Sequence, residues 1–403
     1  MKNVVIVGAG HAAGQVVASL RQKKYEGLIT LLGEESWYPY QRPPLSKKYL
    51  AGEMPAERLY FKPQSFYDEP NIDVQLNTKV TAIDRTAQSV RTAEGQSIDY
   101  DRLVIATGSR PRQLSLPGTD LGGIHNLRGI DDVDNIRADM DDYRRVVIIG
   151  AGYIGLEVAA VAALLGKDVT VVEMADRVMS RVVSPELSKF YQDVHTANGV
   201  QLKLSAAVRG FAGENRVDSV VLENDEKLPA DVVVIGVGVV PNVELAEDAG
   251  LEVSNGVAVD DHCRTSDPNI YAVGDCTWHP NSLLGTELRL ESVHNALEQA
   301  KTAASNICGD DASYAQVPWF WSDQYDLKLQ IAGLSQGYDE VAMRGNVDQR
   351  SFACMYLRNG QLIAVDAVNR PKDFVQSKQL IARHASIDAE LLANSDIELK
   401  DMV

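Results

Sequence analysis

Two glycine-rich turns are the stretches of this chain best suited to chemistry. Gly8-Ala9-Gly10-His11-Ala12-Ala13-Gly14 follows the run Val4-Val5-Ile6-Val7, and Gly150-Ala151-Gly152-Tyr153-Ile154-Gly155 follows Val146-Val147-Ile148-Ile149. In such a turn the first glycine permits a tight passage from strand to helix. The second lets the backbone approach a pyrophosphate with no Cβ in the way, and a small third residue lets the helix pack on the sheet. The helix that begins there offers unpaired N–H groups and a positive dipole end to phosphates. An acid follows each turn: Glu34, with Glu35 as the neighbouring alternative, 26 residues beyond Gly8, and Glu173, 23 residues beyond Gly150. A carboxylate at that distance accepts from ribose hydroxyls. A lone G-x-G-x-x-G is a weak signal, whereas two copies, each with strand, helix and acid in order, are a strong one. Two dinucleotide sites in one chain predict that electrons pass from one nucleotide to the other.

Other chemistries find little support. The four cysteines (Cys263, Cys276, Cys308 and Cys354) form no C-x-x-C or other tight pair, and the seven histidines show no zinc-ligand spacing. A net charge of −17 argues against nucleic acid and anionic membranes. No apolar run approaches the ~20 residues that span a bilayer. Met1-Lys2-Asn3 leads straight into the first strand without a leader, which predicts a cytoplasmic protein.

The elements that must position these turns are readable in outline. Leu28-Ile29-Thr30-Leu31-Leu32 is a second strand, and a loop then carries Arg42-Pro43-Pro44-Leu45-Ser46-Lys47 into an expected helix over Lys47 to Leu50. Arg102 to Gly108 reads as a buried strand ending in the small-residue turn Ala106-Thr107-Gly108. Ala230 to Gly238 reads the same way, which suggests a duplicated unit. Thr265 to Cys276 forms turn, strand and turn, and a helix follows from about Ser292 to Asn306. From about Pro318 short alternating strands take over: Leu327 to Ala332, Glu340 to Arg344, Ser351 to Arg358 and Gln361 to Val368. The expected fold class is α/β: two Rossmann-like dinucleotide-binding domains, glutathione-reductase-like, plus a C-terminal α+β domain. The expected boundaries are 1–112 with 243–317, then 113–242, then 318–403.

The whole chain resembles the two-dinucleotide flavoprotein oxidoreductases. The resemblance rests on both glycine turns and on Ala272-Val273-Gly274-Asp275. Within them it is most similar to the ferredoxin and rubredoxin reductase branch, through Arg42 to Lys47, Gly155-Leu156-Glu157, Glu291-Ser292-Val293-x-Asn295-Ala296 and Trp321-Ser322-Asp323-Gln324. Members that work through thiols carry a redox cysteine or a cysteine pair in regions where this chain has none. The resemblance thus implies electron transfer from flavin directly to a separate carrier.

It also implies roles. FAD is expected at Gly8, Gly10, Ala12, Ala13, Gly14, Glu34 or Glu35, Arg42, Lys47, Val80, Ala106, Thr107, Gly108, Arg128, Gly274, Asp275, Val293 and Trp321. NADH is expected at Gly150, Gly152, Tyr153, Ile154, Gly155, Glu157, Glu173, Arg181, Gly238 and Glu291. Glu173 favours NADH by repelling a 2′-phosphate, while Arg177 and Arg181 could accommodate one. Lys47 and Glu157 are expected to pair where hydride arrives, and Trp321 to lie on the side from which electrons leave, or else in an aromatic core cluster. The implied activity is an NADH-dependent ferredoxin reductase, a monomer or weak dimer. It would feed a [2Fe–2S] ferredoxin or a rubredoxin and, through it, a haem or Rieske oxygenase. Two alternatives stand beside it: an oxidase or quinone or small-acceptor reductase of the same fold, and a redox-responsive binding protein like apoptosis-inducing factor. Because ferredoxins are usually acidic, docking needs either a local basic cluster, with Lys47, Lys48, Arg289, Arg344, Arg370 and Lys372 as candidates, or an apolar face.

Overall fold

The computed structural model of the chain describes residues 3–402. Met1 and Lys2, which the leaderless reading used, lie outside them. The chain forms two compact units. One comprises the chain up to Arg42, Glu57–Arg110 and Val240–Pro318; the other comprises Pro43–Ala56, Pro111–Val239 and the chain from Trp319 onward.

The first unit is built on a five-stranded parallel sheet in the order Ile270–Ala272, Arg102–Ile105, Asn3–Val7, Leu28–Leu32, Ile72–Gln75. Val4, Val5 and Ile6 are fully buried, as expected of a parallel strand covered on both faces. One face packs against the helices His11–Gln22 and Val293–Ile307 through Val16, Val17, Leu20, Ala300 and Ala303. The other face packs through Val5, Leu103 and Ile105 against Val80, Ile83 and Val90 of a small antiparallel sheet.

The second unit repeats the plan. Its parallel sheet runs Gln201–Lys203, Asp168–Val172, Arg145–Ile149, Val232–Ile235, Ile124–Asn126. In both units the strand before the glycine turn is central, the next strand lies on one side and the later apolar strand on the other. In both, a three-stranded antiparallel sheet is inserted just before that later strand. The units differ at one edge. Ile270–Ala272 reaches its edge late in the chain, whereas Ile124–Asn126 reaches the corresponding edge before its glycine turn.

The C-terminal part of the second unit is a five-stranded antiparallel sheet in the order Trp319–Gln324, Leu327–Gly333, Gln361–Val368, Ser351–Arg358, Glu340–Asn346. Helix Pro371–Ala382 packs on it. The strand Trp319–Gln324 was not among the four expected. Its buried positions are the polar Ser322 and Gln324, so the usual apolar alternation is missing.

One further expectation is corrected, and it concerns the loop after Arg42. Pro43–Ser46 is a single 3-10 turn, and the backbone N–H groups of Lys47 and Tyr49 both bond to the Pro44 carbonyl, so no helix runs over Lys47 to Leu50. The segment 43–56 groups with the second unit, not the first. There the Tyr49 hydroxyl donates to Asp134 at 2.7 Å on the helix Ile130–Asp142.

Candidate functional site

In the first unit the glycine turn is shaped by what stands next to it. Gly8 has φ +107°, and a Cβ there would sit 2.3 Å from the Ala106 carbonyl oxygen. No atom lies within 4 Å of the position a Cβ would take at Gly10, and no side chain caps the helix that starts at His11. The turn therefore presents helix N–H groups to a cleared space. Ala13 is fully buried in the third place, and a Cβ on Gly14 would stand 2.8 Å from Pro39. The Ala106-Thr107-Gly108 turn is held by Asn242, whose side-chain amide donates to the Thr107 carbonyl (2.9 Å) and whose own carbonyl accepts from the Thr107 hydroxyl (2.7 Å).

Gly274, at φ +85°, comes so close to helix His11–Gln22 that a Cβ would be 3.1 Å from that of Ala12. This brings Asp275 beside the first glycine turn, where it accepts from Ser109 at 2.9 Å. The sequence reading missed Gln299. Its carbonyl accepts from the Gly274 N–H at 2.7 Å and from Thr277 at 3.0 Å, tying that turn to helix Val293–Ile307. Val293 is the first residue of this helix, whose N-cap Ser292 accepts from the Asn295 N–H. Of the two candidate acids, Glu34 is exposed and pairs with Lys79, while Glu35 accepts from Tyr40 and Arg42, each at 2.6 Å. Val80 is a core residue. Glu291 belongs to this unit and pairs with Arg289.

The second turn follows the same rules more strictly. Gly150 has φ +101°, and its Cβ would meet the Gly236 carbonyl oxygen at 2.4 Å. Gly152 again faces space with no atom within 4 Å, and a Cβ on Gly155 would lie 2.1 Å from the Gly150 carbonyl oxygen. Glu173 is part of the turn, since its carboxylate accepts from the backbone N–H groups of Ala151 (2.7 Å) and Ala175 (2.9 Å). Ile154 and Met174, though apolar, are exposed beside it, and Gly238 adopts φ +99°. Arg177 is spent on the carbonyls of Val183 and Ser180, whereas Arg181 is exposed.

Glu157 is 3 % exposed on helix Tyr153–Leu164. Its carboxylate gathers three donors: Lys47 Nζ at 2.7 Å and Ser46 Oγ at 2.5 Å on one oxygen, Ser322 Oγ at 2.7 Å on the other. Glu157 is buried and Lys47 largely so. A carboxylate can be kept in such a place because each oxygen has a donor and a counter-charge adjoins it. Trp321 lies on the strand that carries Ser322, with its ring 5.6 Å from Trp319 and 6.3 Å from Phe320, and Phe320 reaches Tyr153 at 5.0 Å. Arg128, expected at the first nucleotide, belongs to the second unit; its backbone N–H donates to Asp132 at the start of helix Ile130–Asp142.

Most of the six candidate basic residues are already engaged. Lys47 and Arg344 are largely buried, Arg344 against Asp373 and the carbonyls of Leu392 and Ile397. Arg289, Arg370 and Lys372 pair with Glu291, Asp373 and Glu398. Lys48 alone of the six is exposed and forms no ion pair among the described residues. All four cysteines are free, and three of them are buried. Among the described residues, no group of three or more His, Cys, Asp or Glu side chains is set to hold a metal, and no helix is long and apolar enough to cross a membrane.

Both turns thus fit a dinucleotide: space where a Cβ would intrude, uncapped helix N–H groups facing it and an acid close by. Comparison with known proteins agrees. Residues 2–300 match the family described as pyridine nucleotide-disulphide oxidoreductase, and residues 319–403 match the domain described as reductase C-terminal. The chain is 43 % identical over 401 residues to the 5,5'-dehydrodivanillate O-demethylase ferredoxin reductase subunit of Sphingobium sp., covering 99 % of this chain and 97 % of that one. It is 44 % identical over 407 residues to putidaredoxin reductase of Pseudomonas putida, covering 100 % and 96 %. Its fold matches the reductase in the crystal structure of the covalent putidaredoxin reductase–putidaredoxin complex with a TM-score of 0.96 at 43 % identity, covering 100 % and 98 %. The chain belongs to the pyridine nucleotide-disulphide oxidoreductase family and carries the reductase C-terminal domain at its end.

Proposed function

We propose that this protein is a cytoplasmic NADH-dependent ferredoxin reductase, with FAD held at the first glycine turn and NADH at the second. FAD, when bound, supplies hydride acceptance and the release of electrons one at a time to a [2Fe–2S] ferredoxin or a rubredoxin. The chain supplies binding and alignment. The N–H groups of helix His11–Gln22 face one pyrophosphate and those of helix Tyr153–Leu164 the other. Asp275 would accept from ribityl hydroxyls, and the start of helix Val293–Ile307 would favour negative charge on the flavin ring. Lys47 and Glu157 form one charged pair at the reaction site, and Trp321 precedes Ser322, the residue that bonds Glu157. Glu173, already bonded to the turn, keeps lone pairs for a ribose diol, which favours NADH.

The observation that carries this reading is the likeness along the whole chain, C-terminal domain included, to proteins named as ferredoxin and rubredoxin reductases. With five of the six candidate basic residues largely buried or ion-paired and a net charge of −17, added salt should not slow the reduction of an acidic carrier. The test is a panel: protein loaded with FAD, NADH, and several purified ferredoxins and rubredoxins, each followed for reduction without air. At least one [2Fe–2S] ferredoxin or rubredoxin is expected to be reduced much faster than oxygen or quinone. Vigorous oxygen consumption with no carrier reduced would replace this reading with that of an oxidase.

A further inference from the structure

The polar structure around Glu157 does not stop at Ser322. Gln324 Nε2 donates to Ser322 Oγ at 3.1 Å, His195 Nε2 lies 2.9 Å from Gln324 Oε1, and the Tyr325 hydroxyl lies 3.2 Å from His195 Nδ1. Ser322, Gln324, His195 and Glu157 are all buried. Donor rules fix the direction of this line. Glu157 as a carboxylate only accepts, so the single Ser322 hydrogen goes to it and Ser322 Oγ accepts from the Gln324 amide. The Gln324 carbonyl then faces His195, whose Nε2 must donate, and Nδ1 is left to accept from Tyr325. Reversing Gln324 would turn the Ser322 hydrogen away from Glu157 and leave one buried carboxylate oxygen without a donor, which is costly. All four hydrogens therefore point toward Glu157. An amide in the middle of the line transmits orientation but is no ready proton carrier, so the line positions rather than relays.

A second observation comes from the backbone. Tyr325 opens the two-residue turn between Trp319–Gln324 and Leu327–Gly333 with φ +55°. Glycine, asparagine or aspartate ordinarily takes such a place, and a bulky residue in the left-handed region marks a constraint. Here the side chain meets His195, with ring centroids 5.1 Å apart. Burial also pushes the His195 imidazole below its ordinary pKa, in keeping with a neutral ring.

We propose that Ser322, Gln324 and His195, with Tyr325 selecting the imidazole tautomer, are positioning residues that hold the Glu157 carboxylate, and through it the Lys47 ammonium, in one orientation. The role assigned to that pair rests on the ferredoxin-reductase reading, but the hydrogen-bond line does not. Two arms test it. In nitrogen-15 spectra of histidine-labelled protein without NADH, the His195 signal, identified by its loss in His195→Asn, should show a neutral ring protonated at Nε2. A ring protonated at Nδ1 or at both nitrogens overturns the line. In stopped-flow reduction of the FAD-loaded protein, Ser322→Ala should lower the limiting rate about tenfold with little change in NADH affinity, and Ser322→Thr should restore it. In a Glu157→Gln background the same change should lose most of its effect. A Ser322→Ala rate equal to that of the parent protein, or full additivity with Glu157→Gln, overturns the positioning role. If the parent protein is not reduced by NADH at all, the functional reading fails instead, and the spectra alone judge the hydrogen-bond line.

Discussion

Replacing Lys47 by methionine removes one charge from a pair that water barely reaches. The lysine side chain is 15 % exposed and that of Glu157 3 %. Breaking a buried pair from one side typically costs about 3–5 kcal/mol, because the remaining charge keeps its desolvation penalty. Glu157 would still have Ser46 at 2.5 Å and Ser322 at 2.7 Å, which puts the loss near the lower end, about 3 kcal/mol. Methionine has nearly the length and volume of the lysine stem, so no cavity contributes. Adding Glu157→Gln removes the stranded charge while keeping a group that accepts from one serine through its oxygen and donates to the other through its amide. The double variant should therefore be more stable than Lys47→Met alone. The measurement is urea unfolding read by tryptophan fluorescence, with Trp37 and Trp278 changed to phenylalanine so that Trp319 and Trp321 report on the second unit. Stopped-flow mixing with NADH should show slower flavin reduction in both variants. A Lys47→Met protein as stable as its parent, or a double variant no more stable than Lys47→Met alone, would refute the argument that desolvation dominates here.

Gly10→Ala has room for its Cβ and should leave stability nearly unchanged while weakening FAD retention. Gly8→Ala drives a Cβ to 2.3 Å from a backbone oxygen at φ +107° and should destabilise the protein even without FAD; a calorimetric scan and a flavin titration separate the two, and equal behaviour would count against the cradle. Glu173→Ala removes acceptors for Ala151 and Ala175 and the charge that repels a 2′-phosphate. It should lower kcat/KM for NADH and narrow the preference over NADPH, and Glu173→Ala with Arg181→Ala should lose the NADPH gain; an unchanged NADH/NADPH ratio rejects the role. Asp366, fully buried and hydrogen-bonded by Tyr356, has its pKa pushed by burial from 3.8 up to about 7. Because the folded state holds this proton more tightly than the unfolded one, the group's contribution to stability falls as pH rises from about 4 to about 7, by about 4 kcal/mol in all. Asp366→Asn should thus gain on the parent protein as pH rises and match it near pH 4; a difference that stays flat with pH contradicts this.

The α/β class was legible because parallel strands buried on both faces must be apolar throughout, and the runs Val4–Val7 and Val146–Ile149 are. The glycine turns were legible because a missing Cβ leaves its mark in the sequence. The repeat was visible only faintly there. The two units share strand order and an inserted antiparallel sheet, but their edge strands arrive from opposite directions along the chain, which no local pattern reveals. The grouping of segment 43–56 with the second unit was not legible, because it depends on contacts such as Tyr49 with Asp134, 85 residues away. Arg344 was taken for a surface charge because arginine usually is one; the carbonyls that bury it lie about fifty residues further on.

The polar line behind Glu157 shows why such features escape a reading by pattern. Helix Tyr153–Leu164 is apolar apart from Tyr153 and Glu157, and pattern alone would make an isolated glutamate in such a run its solvent mark; the pairing with Lys47 was legible through the family resemblance, the serines and the line behind them were not. Here the glutamate is the most demanding buried group of the helix. Its needs are met by Ser46, Lys47 and Ser322, which stand 111, 110 and 165 residues away. Meeting them costs the receiving strand its apolar alternation, so Ser322 and Gln324 conceal Trp319–Gln324 as a strand for the same reason that they complete the site. The missing strand and the unread network have one cause: a carboxylate that must stay buried beside an ammonium takes inward positions that packing alone would have filled with valine or leucine. A Ser322→Val, Gln324→Leu chain would restore the strand's pattern, and by this reasoning it should fold less stably than its parent as long as Glu157 keeps its charge.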